Sequence, residues 1–144
     1  MSVSNGFFLC DCSSFSIKKT KLTPATYNIH SHNNFEINYI VNGMGTRIIG
    51  DNIETFYSGD LVIVGPELPH CWEIKSVSDG FFPECITIHF HEHFLEQQIM
   101  KSPELLPIYD LIKESCLGIE FFGEEKTNIA NVLHKMLKAN PLRR

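Results

Sequence analysis

The apolar and polar positions divide the chain into two halves. From residue 6 to about 90, short apolar runs alternate or continue for a few residues and stop at turn signals, which is the pattern of antiparallel strands. From 91 to 139 the apolar positions recur at helical spacing. In the strand half, Phe35, Ile37, Tyr39 and Val41 alternate with Glu36, Asn38 and Ile40, and Asn42-Gly43 turns the chain into a strand carrying Arg47. Asp51-Asn52 turns it back, Gly59-Asp60 opens Leu61-Val62-Ile63-Val64, and the two prolines of the 65–69 loop precede a strand from His70. After a Ser78-Asp79-Gly80 turn, residues 84–90 form the last strand. Many short strands joined by close turns predict a small sandwich or barrel.

In the helical half, Leu105, Ile108, Tyr109, Ile112 and Cys116 make one apolar stripe, and Ile129, Val132, Leu133, Met136 and Leu137 make another. Pro103 suits a first helical turn, and Gly118 and Gly123 bracket the break between the helices. The fold class is therefore mostly β with C-terminal helices, α+β, with a β domain over 1–90 and a helical extension over 91–144. The second stripe lies close to the end of the chain with little left to cover it, which predicts a homodimer built on Ile129, Val132, Leu133, Met136 and Leu137.

Composition narrows the function. The 144 residues suffice for one domain with a real core, and the 43% apolar and 20% charged content is that of an ordinary globular chain. A net charge of −5 with no basic run beyond Lys18, Lys19, Lys21 and Arg143-Arg144 predicts that the chain alone binds nucleic acid poorly. The five cysteines are odd in number and scattered, and the first residues lack the basic and apolar regions of a secretory signal. Reduced thiols in a cytoplasm are expected, the Cys10-Asp11-Cys12 pair included. No apolar run approaches the roughly 18 residues of a membrane span, so no membrane partner is expected.

The chemistry concentrates in His30-Ser31-His32-Asn33-Asn34-Phe35-Glu36. On an extended backbone alternate side chains share a face, so His30 and His32 point the same way; Glu36 joins them if the strand is unbroken, and lies across from them if Asn33-Asn34 resets the alternation. His70 closes the later loop, and Trp72, two residues on, shares its face. Arg47 sits mid-strand, suited to clamping a carboxylate or hydroxyls, with solvent exposure the simpler expectation. His89, His91 and His93 alternate at the strand-to-helix switch and read as surface or capping residues. His134 reads as a boundary or interface residue. No nucleophilic triad, phosphate-cradling glycine loop or dinucleotide fingerprint is present.

His30, His32 and Glu36, with six residues between Glu36 and Gly43, followed by the run from Gly59 to His70, resemble the two cupin motifs. Pro24, Gly65, Glu67 and Ile74 depart from the general cupin pattern. Residues 30–74 look more like the effector-sensing domain of AraC-type transcription regulators, with a more diffuse likeness on to 137. The resemblance implies a cupin-like double-stranded β-barrel (jelly roll) followed by two or three helices. It further implies a small polar effector, sugar-like or carboxylate, held by His30, His32, Glu36, His70, Trp72 and Arg47. One divalent transition metal (Zn, Fe, Mn or Ni) on His30, His32, Glu36 and His70 stands beside a metal-free polar pocket as the two ways such a site works. The family's DNA-binding domain has no counterpart in these residues, so the chain is expected to be a domain-sized piece reaching DNA only through an attached domain. Such a sensor is not an enzyme; the alternative is a stand-alone metal-dependent cupin enzyme of dioxygenase or isomerase type.

Overall fold

Strands come first and helices after, in a computed structural model that describes residues 15–22, 28–76 and 82–139. The order is β1 (Phe15–Lys21), β2 (Phe35–Asn42), β3 (Met44–Ile49), β4 (Asn52–Phe56), β5 (Leu61–Val64), β6 (His70–Ser76), β7 (Glu84–Phe90), α1 (Glu92–Lys101), α2 (Leu106–Lys113), β8 (Ile119–Glu120) and α3 (Glu124–Ala139). Short 3-10 turns, Pro103–Leu105 and Glu114–Leu117, flank α2. Cys10 and Cys12, Pro24, the Ser78-Asp79-Gly80 turn and Arg143-Arg144 lie outside the described residues. Among the described residues no helix is long and apolar enough to cross a membrane.

The strands form two antiparallel sheets, one ordered β1-β7-β2-β5-β8 and the other β4-β3-β6. The middle strands of the larger sheet, β7, β2 and β5, bury side chains on both faces. Phe35, Leu61, Ile63, Ile86, Ile88 and Phe90 face the helices, where Ile112, Leu133 and Leu137 complete one core. Ile40, Val62, Val64 and Cys85 face the smaller sheet and pack with Ile49, Phe56 and Trp72 in a second core. With a period of two, β2 therefore turns its apolar residues outward under the helices and its polar residues, Glu36 and Asn38, inward between the sheets. Both carry almost no exposure, at 4% and 7%.

Two expectations are corrected. The α3 stripe is not left uncovered: Leu133 and Leu137 are buried in the core beneath the sheet, Ile129 and Met136 pack against it, and only Val132 is exposed. The argument for a dimer from an uncovered stripe falls away because α3 folds back on its own sheet. Arg47 is not solvent-exposed either; it points between the sheets with 3% exposure, because β3 is held on one side by β4 and on the other by β6.

The helical segment also touches the loop that leads into His70. The amide of Gly65 donates to the Ser115 carbonyl at 2.8 Å, and a Cβ at Gly65 would lie 2.7 Å from that oxygen, so only glycine lets the two backbones meet.

Candidate metal centre

Local geometry builds the site from three places. Residues 33–34 bend the chain, so β2 starts only at Phe35 and the alternation is reset before Glu36. His30 lies outside the named strands but makes a two-way backbone bridge with His70, His30 N–H to His70 carbonyl at 3.1 Å and the reverse at 2.9 Å. The amide of Glu67 donates to the His32 carbonyl at 2.7 Å, clamping the first histidine segment to the loop before the second. Glu67 adopts φ +62 there, a left-handed conformation uncommon for a residue other than glycine.

His30, His32, Glu36 and His70 come together, with one ligand-type atom from each lying within 4.8 Å of all the others. His32 Nε2 is 2.8 Å and His70 Nε2 3.2 Å from the same oxygen, Glu36 Oε2. The other oxygen, Oε1, accepts from the Asn38 amide at 3.1 Å, which fixes which edge of the carboxylate faces the imidazoles. Asn38 Oδ1 is buried without a hydrogen-bond partner and faces the same interior.

On the far side of each imidazole the pattern repeats. His30 Nδ1 donates to the Asn28 carbonyl at 2.9 Å, His32 Nδ1 to Asn34 at 3.1 Å, and His70 Nδ1 to Leu68 at 2.7 Å. A carbonyl only accepts, so each Nδ1 carries the proton and each neutral ring keeps its lone pair on Nε2. For His32 and His70 that lone pair faces a carboxylate oxygen, also an acceptor. Two acceptors at such a distance are reconciled by a second proton on the ring or by a cation shared between nitrogen and oxygen. Backbone carbonyls that orient imidazoles in this way are the usual outer shell of metal-ligating histidines. A set of three imidazole nitrogens and one carboxylate fits a divalent transition metal.

The charges of the cluster are coupled through Glu36. Burial works to raise the Glu36 carboxyl, but hydrogen bonds from His32, His70 and His89 outweigh it and hold the group well below the usual carboxylate range. Burial pulls His70 down, yet its hydrogen bond and charge interaction with Glu36 leave it above an ordinary histidine. His30, where burial dominates, is lowered.

The remaining candidates divide. Trp72 faces the interior beside His70, ring centroids 5.8 Å apart, and its Nε1 donates to Asp60 at 3.4 Å as part of the inter-sheet core. Arg47 is held by the chain's own carboxylates, Asp60 at 2.6 Å and Glu54 and Glu120 at 3.0 Å each. His91 caps α1, its Nδ1 accepting the His93 amide, and His93 is exposed. His89 is the residue that sequence reasoning misplaced: it is neither a surface nor a capping residue, since its Nε2 lies 2.9 Å from Glu36 Oε2. The strand ends at Phe90, so His89 alone of the three alternating histidines stays on the inner face. Its odd-numbered parity with Cys85 and Thr87 on a recognisable strand was the available signal.

No protein-family model matches the chain, and no curated protein matches it. Solved structures to which the chain is similar include three of cupin fold. An oxalate decarboxylase structure matches at 20% identity and TM-score 0.46 over 56% of this chain and 22% of that one. The EutQ protein of Clostridium difficile matches at 17% and 0.38 over 54% and 55%, and the plu4264 protein of Photorhabdus luminescens at 22% and 0.37 over 58% and 59%. The chain thus spans less than two thirds of each of these proteins, and the chemistry of its site rests on its own residues.

Proposed function

We propose that this chain is a cupin-like, metal-centred effector-binding domain of the AraC regulator type, with His30, His32, Glu36 and His70 holding one divalent transition ion. The observation that supports the metal is the orientation of the imidazoles: each Nδ1 is committed to a backbone carbonyl, and the Nε2 atoms of His32 and His70 meet at one buried carboxylate with His30 beside them. Once bound, the ion supplies positive charge and an open coordination position able to take a carboxylate or hydroxyl oxygen of a small polar effector. Around it, Asn38 holds Glu36 in place and offers its unpartnered Oδ1 as a hydrogen-bond acceptor. Trp72 contributes an apolar wall next to His70.

The sensing role draws on the resemblance carried by residues 30–74 and on a connection from the interior to the helices. Arg47, on β3, joins Asp60 at the start of β5 to Glu120 on β8, and β8 leads directly into α3. An effector that alters the interior biases the position of α3 only as far as its affinity differs between two arrangements, and DNA-binding domains attached beyond α3 read that bias. The same donor set favours a second reading, a metal-dependent cupin enzyme.

Elemental analysis of untagged protein, beside a His30→Ala/His70→Ala variant, tests the centre. About one equivalent of Zn, Fe, Mn or Ni, lost in a variant that keeps its circular dichroism spectrum, is expected; folded wild-type protein that takes up none of the four overturns the metal. Calorimetry of the loaded protein against sugars and small carboxylates then separates the readings. Saturable binding with the ligand recovered unchanged supports the sensor, and conversion of the ligand moves the protein to the enzyme reading.

A further inference from the structure

From the position of His89 we infer that the centre has a fifth protein ligand, so that four imidazoles and Glu36, rather than three and Glu36, hold the ion. This rests on the metal reading above and adds a residue that neither the motif spacing nor the four-residue cluster contains.

The register carries the argument. On the β2–β7 ladder Glu36 and His89 are directly opposed, so their Cβ atoms are set about 5 Å apart by backbone pairing alone. Both side chains point between the sheets, as do Asn38 opposite Thr87 and Ile40 opposite Cys85. His89 Nε2 meets the same carboxylate oxygen as His32 and His70, at 2.9 Å against 2.8 and 3.2 Å. Donors that share one ion at about 2.1 Å are separated by roughly 3.0 to 3.4 Å, so the three nitrogens stand off Glu36 Oε2 by nearly the spacing that ligands of one ion adopt. The His89 ring also packs on His32 at 5.0 Å between centroids, as the His70 ring does at 5.1 Å. In its distance to Glu36 and its ring packing on His32, His89 matches His70, and it sits on a strand paired on both sides, a firmer support for a ligand than a loop.

Two consequences follow. A donor set of four nitrogens and one oxygen favours the later ions Ni, Cu and Zn over Mn more strongly than three nitrogens do. Five protein donors leave an ion that takes six ligands a single position for an outside atom. One effector oxygen fits there, whereas a substrate and dioxygen side by side do not.

X-ray absorption on the Ni- and Zn-loaded full chain counts the imidazoles directly. Four in wild-type protein and three in both His89→Gln and His70→Gln are expected, with Ni affinity reduced at least about tenfold in His89→Gln. Three imidazoles in wild type, unchanged in His89→Gln, overturn the inference and leave His89 as a hydrogen-bond donor to Glu36, while the metal reading stands. Protein that binds no metal overturns both. The wild-type count decides the matter even if His89→Gln does not fold.

Discussion

Arg47 shows how much one interior residue can determine. Its guanidinium is buried with Asp60, which is itself only 8% exposed, and replacing it with Met leaves that carboxylate without its cation. Breaking one side of a buried pair costs about 3–5 kcal/mol, so Arg47→Met should lower the urea midpoint sharply, while an Arg47→Met/Asp60→Leu double variant should recover much of the loss. Glu54, half exposed, contributes far less, and Glu54→Ala should be close to neutral. The cysteines make a second residue-level test. Burial pushes the Cys85 thiol up to about 11, partly offset by a hydrogen bond with Thr87, and raises Cys71 too, whereas Cys116 is exposed. Alkylation of the folded protein at pH 8, followed by peptide mass spectrometry, should modify Cys116 and spare Cys71 and Cys85. The clustered residues His30, His32, Glu36 and His70 were legible in the sequence because their types and spacings form a local motif. The burial of Arg47 was not, because it has no local signature that distinguishes it from a surface residue, and the parity of His89 on its strand did not say which face of that strand is interior.

For the elements, β2 and α3 show the strength and the limit of periodicity. The alternation in β2 correctly marked a strand, but which face is interior depended on what covers each side. Helices cover the apolar face, so the polar face becomes the inside of the sandwich. The α3 stripe was read as helical and is helical, yet its expected free face is largely taken up by its own sheet. Leu133→Ala should therefore cost about 2–5 kcal/mol and Val132→Ala, at a position 52% exposed, no more than about 0.5, measured by denaturant unfolding. A comparable loss at both positions would contradict the packing described here. At the loop before His70, Gly65→Ala has to push aside the backbone of residues 115–116, so it should reduce stability by about 1–3 kcal/mol and loosen metal binding through the displaced loop.

The whole molecule couples the proposed site to its stability, because the clustered side chains come from the segment before β2, from β2 itself and from β6, with His89 of β7 set beside Glu36. An ion that binds only the assembled sheets, present at a hundredfold excess over its Kd, adds about 2.7 kcal/mol. For a chain of this length that corresponds to a rise of about 9 °C in Tm, which EDTA should reverse and the His30→Ala/His70→Ala variant should not show. The division into strands followed by helices and a concentration of histidine and glutamate side chains after residue 29 were determined by the sequence alone. Both are written in residues a few positions apart, where backbone geometry imposes its period directly. Asn42-Gly43, by contrast, joins strands of two different sheets instead of closing a hairpin, and the turn between β3 and β4 falls at Gly50-Asp51, one residue before the expected pair. Only the tertiary structure decided that β2 pairs with β7 and so sets His89 on Glu36, 53 residues away, that Arg47 is enclosed between two sheets, and that α3 covers its own core. Those outcomes depend on which distant segments pair and which faces they bury, and hydrophobic burial, being non-directional, leaves no mark of that choice in the local pattern.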